Sequence, residues 1–159
     1  MKQEQFLNLA TAEEALKKFR DAVKPSPLGE EVLPLVEARG RVLSRDVAAT
    51  INVPFYDRSN FDGYAVRAED TFGAEEIQPV NFSVNQEVLA CGVIPVEQLQ
   101  PGTATVISTG GVLPRGADGV VMIENTQPDG DQVRVLKPIV PGGGVSLAGS
   151  DLGAGEVVL

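Results

Sequence analysis

The stretch SNFDGYAV, residues 59–66, contains the first group that could do chemistry, because it places the carboxylate of Asp62 between an aromatic residue and a glycine. Asp-Gly between apolar segments is a strong hairpin-turn signal, since glycine accepts positive φ and aspartate can bond its own backbone. A functional interpretation requires neighbours such as Ser59 and Tyr64 to hold Asp62 on a rigid loop. There it would orient a substrate group, a metal-bound oxygen or a water. Spacing alone favours the turn and leaves both interpretations open.

The stretch STGG, residues 108–111, is the second candidate, because two hydroxyls and two glycines end the apolar run TVI. Glycines let backbone N–H groups turn toward one point, and hydroxyls donate without adding charge. Ser108, Thr109 and Gly110 could therefore form an oxyanion cradle for phosphate or molybdate. No Gly-Lys-Ser/Thr follows, so the stretch is not a P-loop. The alternative is an ordinary Ser/Thr/Gly turn between strands.

Three further residues carry weaker signals. Arg58 and Arg67 flank the Asp62 loop and could screen its charge or meet an anion, although solvated arginines near turns are the more common case. Cys91 is predicted to be a small buried hydrophobic side chain, because no base that would activate its thiol can be identified.

The composition limits the classes of function. A chain of 159 residues with 43% hydrophobic residues is typical of one domain, or two small ones. The formal net charge of -9 opposes binding to nucleic acid, and no basic patch offsets it. The absence of histidine removes the usual catalytic base and, with one cysteine, any zinc or histidine-based metal site.

The same composition bears on location. Residues 1–20 contain glutamates where a signal peptide would need an apolar stretch, and no apolar run reaches transmembrane length. We therefore expect a cytoplasmic protein with no membrane partner.

The elements that must position the candidate residues begin with a predicted helix. Thr11–Glu14 forms a capping-box pattern, in which a hydroxyl and a carboxylate satisfy backbone donors at a helix start. Prolines at 25 and 27 end the pattern. Four apolar residues share one face at helical spacing: Ala12, Leu16, Phe19 and Val23.

The rest of the chain predicts short strands. We expect a strand at Glu31–Leu35, a short helical turn to Gly40 and a further segment at Arg41–Ala48. Beyond Ile51, short β-like runs are bounded by turn residues, which indicates a small barrel or sandwich-like lobe. The chain ends on an apolar strand at Glu156–Leu159, which predicts that it was cut from a longer protein. The β-like runs are YAVR, PVNFSV, ATVIST, GVVMIE and QVRVLKPIV.

Four segments together resemble the MoeA family, the molybdopterin molybdenumtransferases of molybdenum-cofactor synthesis, which includes the E domain of gephyrin. VPFYDRSNFDGYAVRAED is similar to the family's Ser-x-x-Asp-Gly-Tyr-Ala segment. GTATVISTGGVLPRGADGVVMIENT is similar to its Thr-Gly-x-x-x-Pro-x-Gly-Ala-Asp-x-Val-Val stretch. LPLVEARGRVLSRDVAA and AGSDLGAGEVVL match two more segments, in the family's order. Four collinear motifs make an unrelated β-domain an improbable alternative.

The resemblance implies an α+β, mainly β fold with two lobes. Residues 1–53 and 141–159 would form an elongated first lobe with the N-terminal helix, and residues 54–140 a small inserted β-rich lobe. The family's molybdopterin-binding and C-terminal domains are expected to lie outside these 159 residues, since the Thr-Gly-Asp-Glu and Ser-Gly-Gly motifs do not occur in them. This segment alone is therefore expected to lack transferase activity.

The resemblance also implies a function for the full-length protein. It would be a homodimer that uses Mg²⁺ to insert molybdate into adenylylated molybdopterin, with release of AMP. One subunit would contribute Asp62 and Thr109 as catalytic residues to a cleft that the other subunit completes, with Ser108, Gly110 and Ser59 binding substrate. The molybdopterin adenylyltransferase is a further expected partner. The alternative is a naturally short, non-catalytic dimerisation or interaction module that kept the fold.

Other positions match the family motif or depart from it. Ser59, Gly63 and Tyr64 match it and are expected to shape the loop. Gly111 stands where alanine is frequent, and residues 146–148 stand where a basic residue usually precedes Gly-x-Asp. The second departure puts an anion contact at that loop in doubt.

Overall fold

The computed structural model describes residues 9–159, and the chain divides into two compact units, Met1–Arg45 and Asp46–Leu159. The division falls at residue 45, whereas the expected lobes have boundaries at 53/54 and 140/141. The lobe boundaries therefore stay a prediction. Within residues 9–159, no helix combines the length and the hydrophobicity needed to cross a membrane.

The first unit contains the helix α1, Ala12–Val23, with the predicted capping box at its start. The Thr11 hydroxyl accepts a hydrogen bond from the Glu14 N–H at 3.2 Å, and the Glu14 carboxylate accepts one from the Thr11 N–H at 3.0 Å. The helix ends where Lys24 adopts the left-handed conformation, directly before Pro25. Both ends of the predicted helix are confirmed.

The strand predicted at Glu31–Leu35 is wrong. These residues are irregular up to a short 3₁₀ turn at Leu35–Glu37, which partly confirms the predicted helical turn. Pro34 has no N–H to donate to a ladder, and the neighbouring Val32 is fully exposed, so neither the backbone nor the side chains favour a strand. Of the predicted segment Arg41–Ala48, only its last residue forms an isolated β-bridge.

The second unit contains a six-stranded sheet and a two-stranded one, so the prediction of a mainly β fold is confirmed. The strands are β1 Arg58–Ser59, β2 Gly63–Val66, β3 Val80–Leu89, β4 Thr103–Ile107, β5 Gly119–Met122, β6 Thr126–Asp129, β7 Gln132–Val135 and β8 Val145–Ser146. The large sheet has the strand order β5-β2-β4-β3-β7-β6, and β1 pairs with β8. The strands β3 and β4 run parallel, and the other pairs are antiparallel.

The strand β2 lies at the centre of the packing. All four of its residues are buried, and it bonds β4 on one side and β5 on the other. Tyr64 and Val66 belong to one apolar cluster with Phe82, whereas Ala65 belongs to a second cluster with Ile107. A strand that is buried on both faces is fixed in place, and it therefore fixes the residue that precedes it, Asp62.

The two ends of the second unit lie side by side. The Val47 N–H donates to the Leu159 carbonyl at 3.0 Å, and the Val158 N–H donates to the Val47 carbonyl at 2.8 Å. Nearer the sheet, the Val53 N–H donates to the Leu152 carbonyl at 2.8 Å. Residues 47–53 and 152–159 thus form an irregular antiparallel pair.

Candidate functional site

The sheet brings the two candidate stretches together. Gly63, the first residue of β2, pairs with Ile107, the last residue of β4. Because the two strands run antiparallel, the residue before β2 and the residues after β4 lie at the same end of the sheet. Asp62 and Thr109 therefore meet although 47 positions separate them in the sequence.

Thr109 holds the Asp62 carboxylate with two donors. Asp62 Oδ1 accepts a hydrogen bond from the Thr109 N–H at 2.7 Å and another from the Thr109 hydroxyl at 3.1 Å. The backbone bond, and secondly the hydroxyl bond, keep the pKa of Asp62 below its ordinary value of 3.8, because both stabilise the charged form. Because of this low pKa, the Asp62 carboxylate is ionised at neutral pH. Asp62 is also exposed, so the carboxylate is open to solvent.

The predicted oxyanion cradle of backbone N–H groups at residues 108–111 is wrong. Each of these four N–H groups already has an acceptor within the chain. They donate, in order, to the Leu89 carbonyl at 3.0 Å, to the Asp62 carboxylate, to the Ser59 carbonyl at 2.8 Å and to the Ser108 carbonyl at 2.8 Å. Backbone donation by these residues to an oxyanion would first require breaking these bonds. Substrate contact by Ser108 and Gly110 through other atoms stays a prediction.

The Asp62–Thr109 pair presents acceptors to the solvent. The Thr109 hydroxyl donates its one hydrogen bond to Asp62, so the lone pairs of the hydroxyl oxygen remain available to a ligand. Asp62 Oδ2 accepts no hydrogen bond from any residue in 9–159. A surface of carboxylate and hydroxyl oxygens suits a cation, or a ligand that donates hydrogen bonds, better than a bare oxyanion.

Ser59 is placed behind this pair and is only 1% exposed. Its hydroxyl donates to the Phe61 carbonyl at 2.5 Å and accepts from the Phe61 N–H at 3.2 Å. Its burial fits the expected loop-shaping role and argues against direct contact with substrate.

The hairpin-turn interpretation of Asp62-Gly63 is also wrong. Gly63 does not adopt positive φ, and it is already within β2, paired with residues on both sides. The glycine is required for a different reason: a Cβ at this position would lie 2.0 Å from the Val121 carbonyl oxygen. Tyr64 is a core residue rather than a neighbour that orients the Asp62 side chain.

Neither flanking arginine pairs with Asp62. Arg58 lies 3.9 Å from the Asp151 carboxylate. Arg67 pairs with Glu69 and lies 3.9 Å from Asp70. These two arginines therefore do not screen the negative charge of Asp62.

Cys91 corrects another expectation, since it is exposed rather than buried. A Cβ built at Gly110 would lie 3.7 Å from the Cys91 sulfur, so the thiol stands beside the loop that carries Thr109. The sequence carries no signal for this proximity, because eighteen residues, including the strand β4, lie between Cys91 and Gly110.

Comparison with known proteins adds to this geometry. Residues 10–159 match the model of the MoeA N-terminal region, domains I and II. The chain belongs to the MoeA family. It is 42% identical over 127 residues to molybdopterin molybdenumtransferase 2 of Mycobacterium tuberculosis, covering 80% of this chain and 31% of that protein. It is 41% identical over 129 residues to the molybdopterin molybdenumtransferase of a Nostoc species, covering 81% and 29%.

Solved structures support the same family assignment. The crystal structure of the molybdopterin biosynthesis MoeA protein from Pyrococcus horikoshii OT3 superposes with a TM-score of 0.73 at 42% identity. The match covers 81% of this chain and 34% of that one. This MoeA-family chain therefore spans about a third of the length of the relatives that it matches.

An apolar groove of about 310 Å³ in this MoeA-family chain is lined in part by Phe61, the residue directly before Asp62. Its volume is at the lower end of the range for small-molecule pockets. The loop thus carries a polar residue bonded to Thr109, Asp62, next to an apolar residue that lines the groove, Phe61. Residues lining the groove include Phe61, Met122, Asn125, Lys137, Ile139 and Val140.

The part of the MoeA-family chain that the structure describes gathers no cluster of three or more His, Cys, Asp or Glu residues suited to a metal ion. Asp62 could therefore supply a ligand, but not as part of such a cluster. That is enough for Mg²⁺ at a phosphate-bearing substrate, since such ions commonly use one or two carboxylates, substrate oxygens and water.

Proposed function

We propose that this chain is the N-terminal part of a cytoplasmic molybdopterin molybdenumtransferase, which inserts molybdate into adenylylated molybdopterin in molybdenum-cofactor biosynthesis. Asp62 and Thr109 are its catalytic residues, contributed to an active site that a second subunit completes. The observation that carries the proposal is the direct Asp62–Thr109 contact at an exposed sheet end, in a chain whose named relatives are molybdenumtransferases.

Asp62 acts by positioning rather than by taking a proton. Its pKa is held below the ordinary value, so the carboxylate is a weak base at neutral pH. It is also held rigidly, since Thr109 bonds one of its oxygens and β2 begins at the next residue. A fixed, exposed negative charge of this kind orients a positively charged or proton-donating group at the reacting centre.

The donor set fits Mg²⁺ as one such group. Asp62 Oδ2 would hold the ion, with the remaining ligands from substrate and water. When bound, the ion neutralises charge on the substrate's phosphate groups. Thr109 keeps Asp62 Oδ1 engaged, so the carboxylate is presented through Oδ2.

Molybdate, in contrast, is an anion that binds best beside cations, and no basic side chain of residues 9–159 forms an ion pair with Asp62. Residues 46–159 contain five basic and fifteen acidic side chains, and three of the five basic ones lie within 4 Å of acidic partners. An anion would be repelled by Asp62 and would find the N–H groups of residues 108–111 already bonded. This supports a site in which another part of the full-length dimer binds the anion.

The helix α1 supports homodimer formation. The side chains along its apolar face are at least half exposed: 50% for Leu16, 62% for Phe19 and 54% for Val23. An amphipathic helix whose apolar face is uncovered favours association with another surface, here a second copy of the chain. The molybdopterin adenylyltransferase remains a predicted partner.

The test is molybdate-dependent AMP release by the full-length protein that contains this chain. Asp62→Asn and Thr109→Ala should each lower the rate by about 100-fold or more, the usual cost of losing a preorganised electrostatic contact. Asp131→Asn, in the exposed β6–β7 turn, is the matched control and should keep the wild-type rate.

Two results would count against the proposal. Wild-type turnover in both site variants would show that the pair only shapes a loop. Absence of AMP release from the unaltered full-length protein, with its fold and dimerisation intact, would favour the non-catalytic interaction module.

A further inference from the structure

Ser59 joins the two loops that meet at the site. Its N–H donates to the Gly111 carbonyl at 3.0 Å, and its carbonyl accepts from the Gly110 N–H at 2.8 Å. These are the two residues that directly follow Thr109. The backbone of Ser59 therefore sets where the Thr109 loop lies.

The hydroxyl of the same residue shapes the Asp62 loop. It bonds both the N–H and the carbonyl of Phe61, the residue directly before Asp62. This short ring of bonds fixes the direction in which the chain enters Asp62. Since Ser59 is 1% exposed, water has little access to replace the hydroxyl if it is lost.

We propose that Ser59 is a positioning residue: its backbone and hydroxyl together hold the Asp62 carboxylate in line with both donors of Thr109. The hydroxyl fixes one partner of the pair, and the two backbone bonds fix the other. The effect of Ser59 on turnover rests on the proposed function, whereas its effect on the Asp62–Thr109 contact does not.

The chain offers a matched control on the opposite side of the same loop. The Ser146 hydroxyl donates to Asn60 Oδ1 at 2.6 Å, and the Asn60 N–H donates to the Gly144 carbonyl at 2.9 Å. Ser146 thus bonds the loop through Asn60, and its hydroxyl forms no hydrogen bond with residues 108–111. Ser146→Ala removes one hydroxyl from the same loop and leaves the Ser59 bonds intact.

The experiment is an NMR titration of the Asp62 carboxyl carbon in this chain. In Ser59→Ala the pKa of Asp62 should rise toward its ordinary value, because the carboxylate is no longer aligned with the Thr109 donors. Ser146→Ala should leave that pKa at its wild-type position. Ser59→Cys, which keeps the shape but bonds weakly, should also raise it, and it replaces Ser59→Ala if that variant does not fold.

The outcome separates positioning from simple stabilisation. If folded Ser59→Ala and Ser59→Cys keep the wild-type pKa of Asp62 while their melting temperatures fall, Ser59 only stabilises the fold and the proposal is overturned. In the full-length enzyme, Ser59→Ala should lower kcat by about 10- to 100-fold, as expected for a misplaced catalytic group. A raised pKa with unchanged kcat would instead contradict the proposed catalytic role of the pair.

Discussion

Asp62 Oδ1 accepts both hydrogen bonds that Thr109 can donate, one from the backbone and one from the side chain. The two contributions can be separated, because a side-chain substitution removes the hydroxyl and leaves the N–H in place. The backbone bond is also the larger cause of the lowered pKa.

Thr109→Val should therefore raise the pKa of Asp62 only part of the way to its ordinary value. Valine has nearly the shape of threonine but no hydroxyl, so the bond at 3.1 Å is lost and the bond at 2.7 Å is kept. Carboxyl-carbon NMR titration measures the change, with Thr103→Val as the control, since that hydroxyl bonds Gln100 instead. An unchanged pKa would show that the hydroxyl contributes nothing.

The stability of the chain should depend on pH through Asp62. Because the pKa is lower in the folded chain than in the unfolded one, the carboxylate stabilises the fold at pH values above its ordinary pKa of 3.8. That contribution is lost as the pH falls through the folded-state pKa. The melting temperatures of wild type and Asp62→Asn should thus differ near neutral pH and converge in acid; a difference that persists at low pH would contradict this linkage.

Gly63→Ala should destabilise the second unit strongly. Its Cβ would lie 2.0 Å from the Val121 carbonyl oxygen, so β2 and β5 would have to separate. Overpacking of this kind costs about 1–3 kcal/mol, or more where the backbone cannot shift. Urea denaturation measures the loss against Gly153→Ala, where the nearest atom would be 3.8 Å from the new Cβ. Equal stability of the two variants would disprove the close approach.

Cys91 should react in the folded chain. It is exposed and is the one cysteine of the sequence, so a thiol reagent should modify one equivalent without denaturant. Cys91→Ser is the blank. A thiol that reacts only after urea is added would show that the side chain is buried, as the sequence had suggested.

The sequence predicts local structure well where one short segment decides it. The bounds of α1 follow from Thr11, Glu14 and the prolines after it, and the β-like runs locate β2, β3, β4, β5 and β7. The sequence does not predict the strand β6, because this strand contains Pro128. It tolerates the proline because it forms the edge of the sheet.

The site shows the limit of that reasoning. Family motifs indicate Asp62 and Thr109 separately, but their contact depends on the pairing of β2 with β4. The expected cradle is absent for the same reason, since three of its four N–H groups donate to Leu89, Asp62 and Ser59, each at least nineteen positions away in the sequence. Local composition does not reveal such partners.

The irregular pairing of residue 47 with residues 158 and 159 has a consequence for engineering. Because chain entry and chain exit of the second unit are adjacent, a few linking residues could join them and the backbone could be reopened at the tip formed by Gly130 and Asp131. Such a circular permutant would lose the covalent link between β6 and β7 but keep every pair of neighbouring strands in the six-stranded sheet. The unit could also be inserted into a loop of a host protein, and it would then keep the β6–β7 link as well.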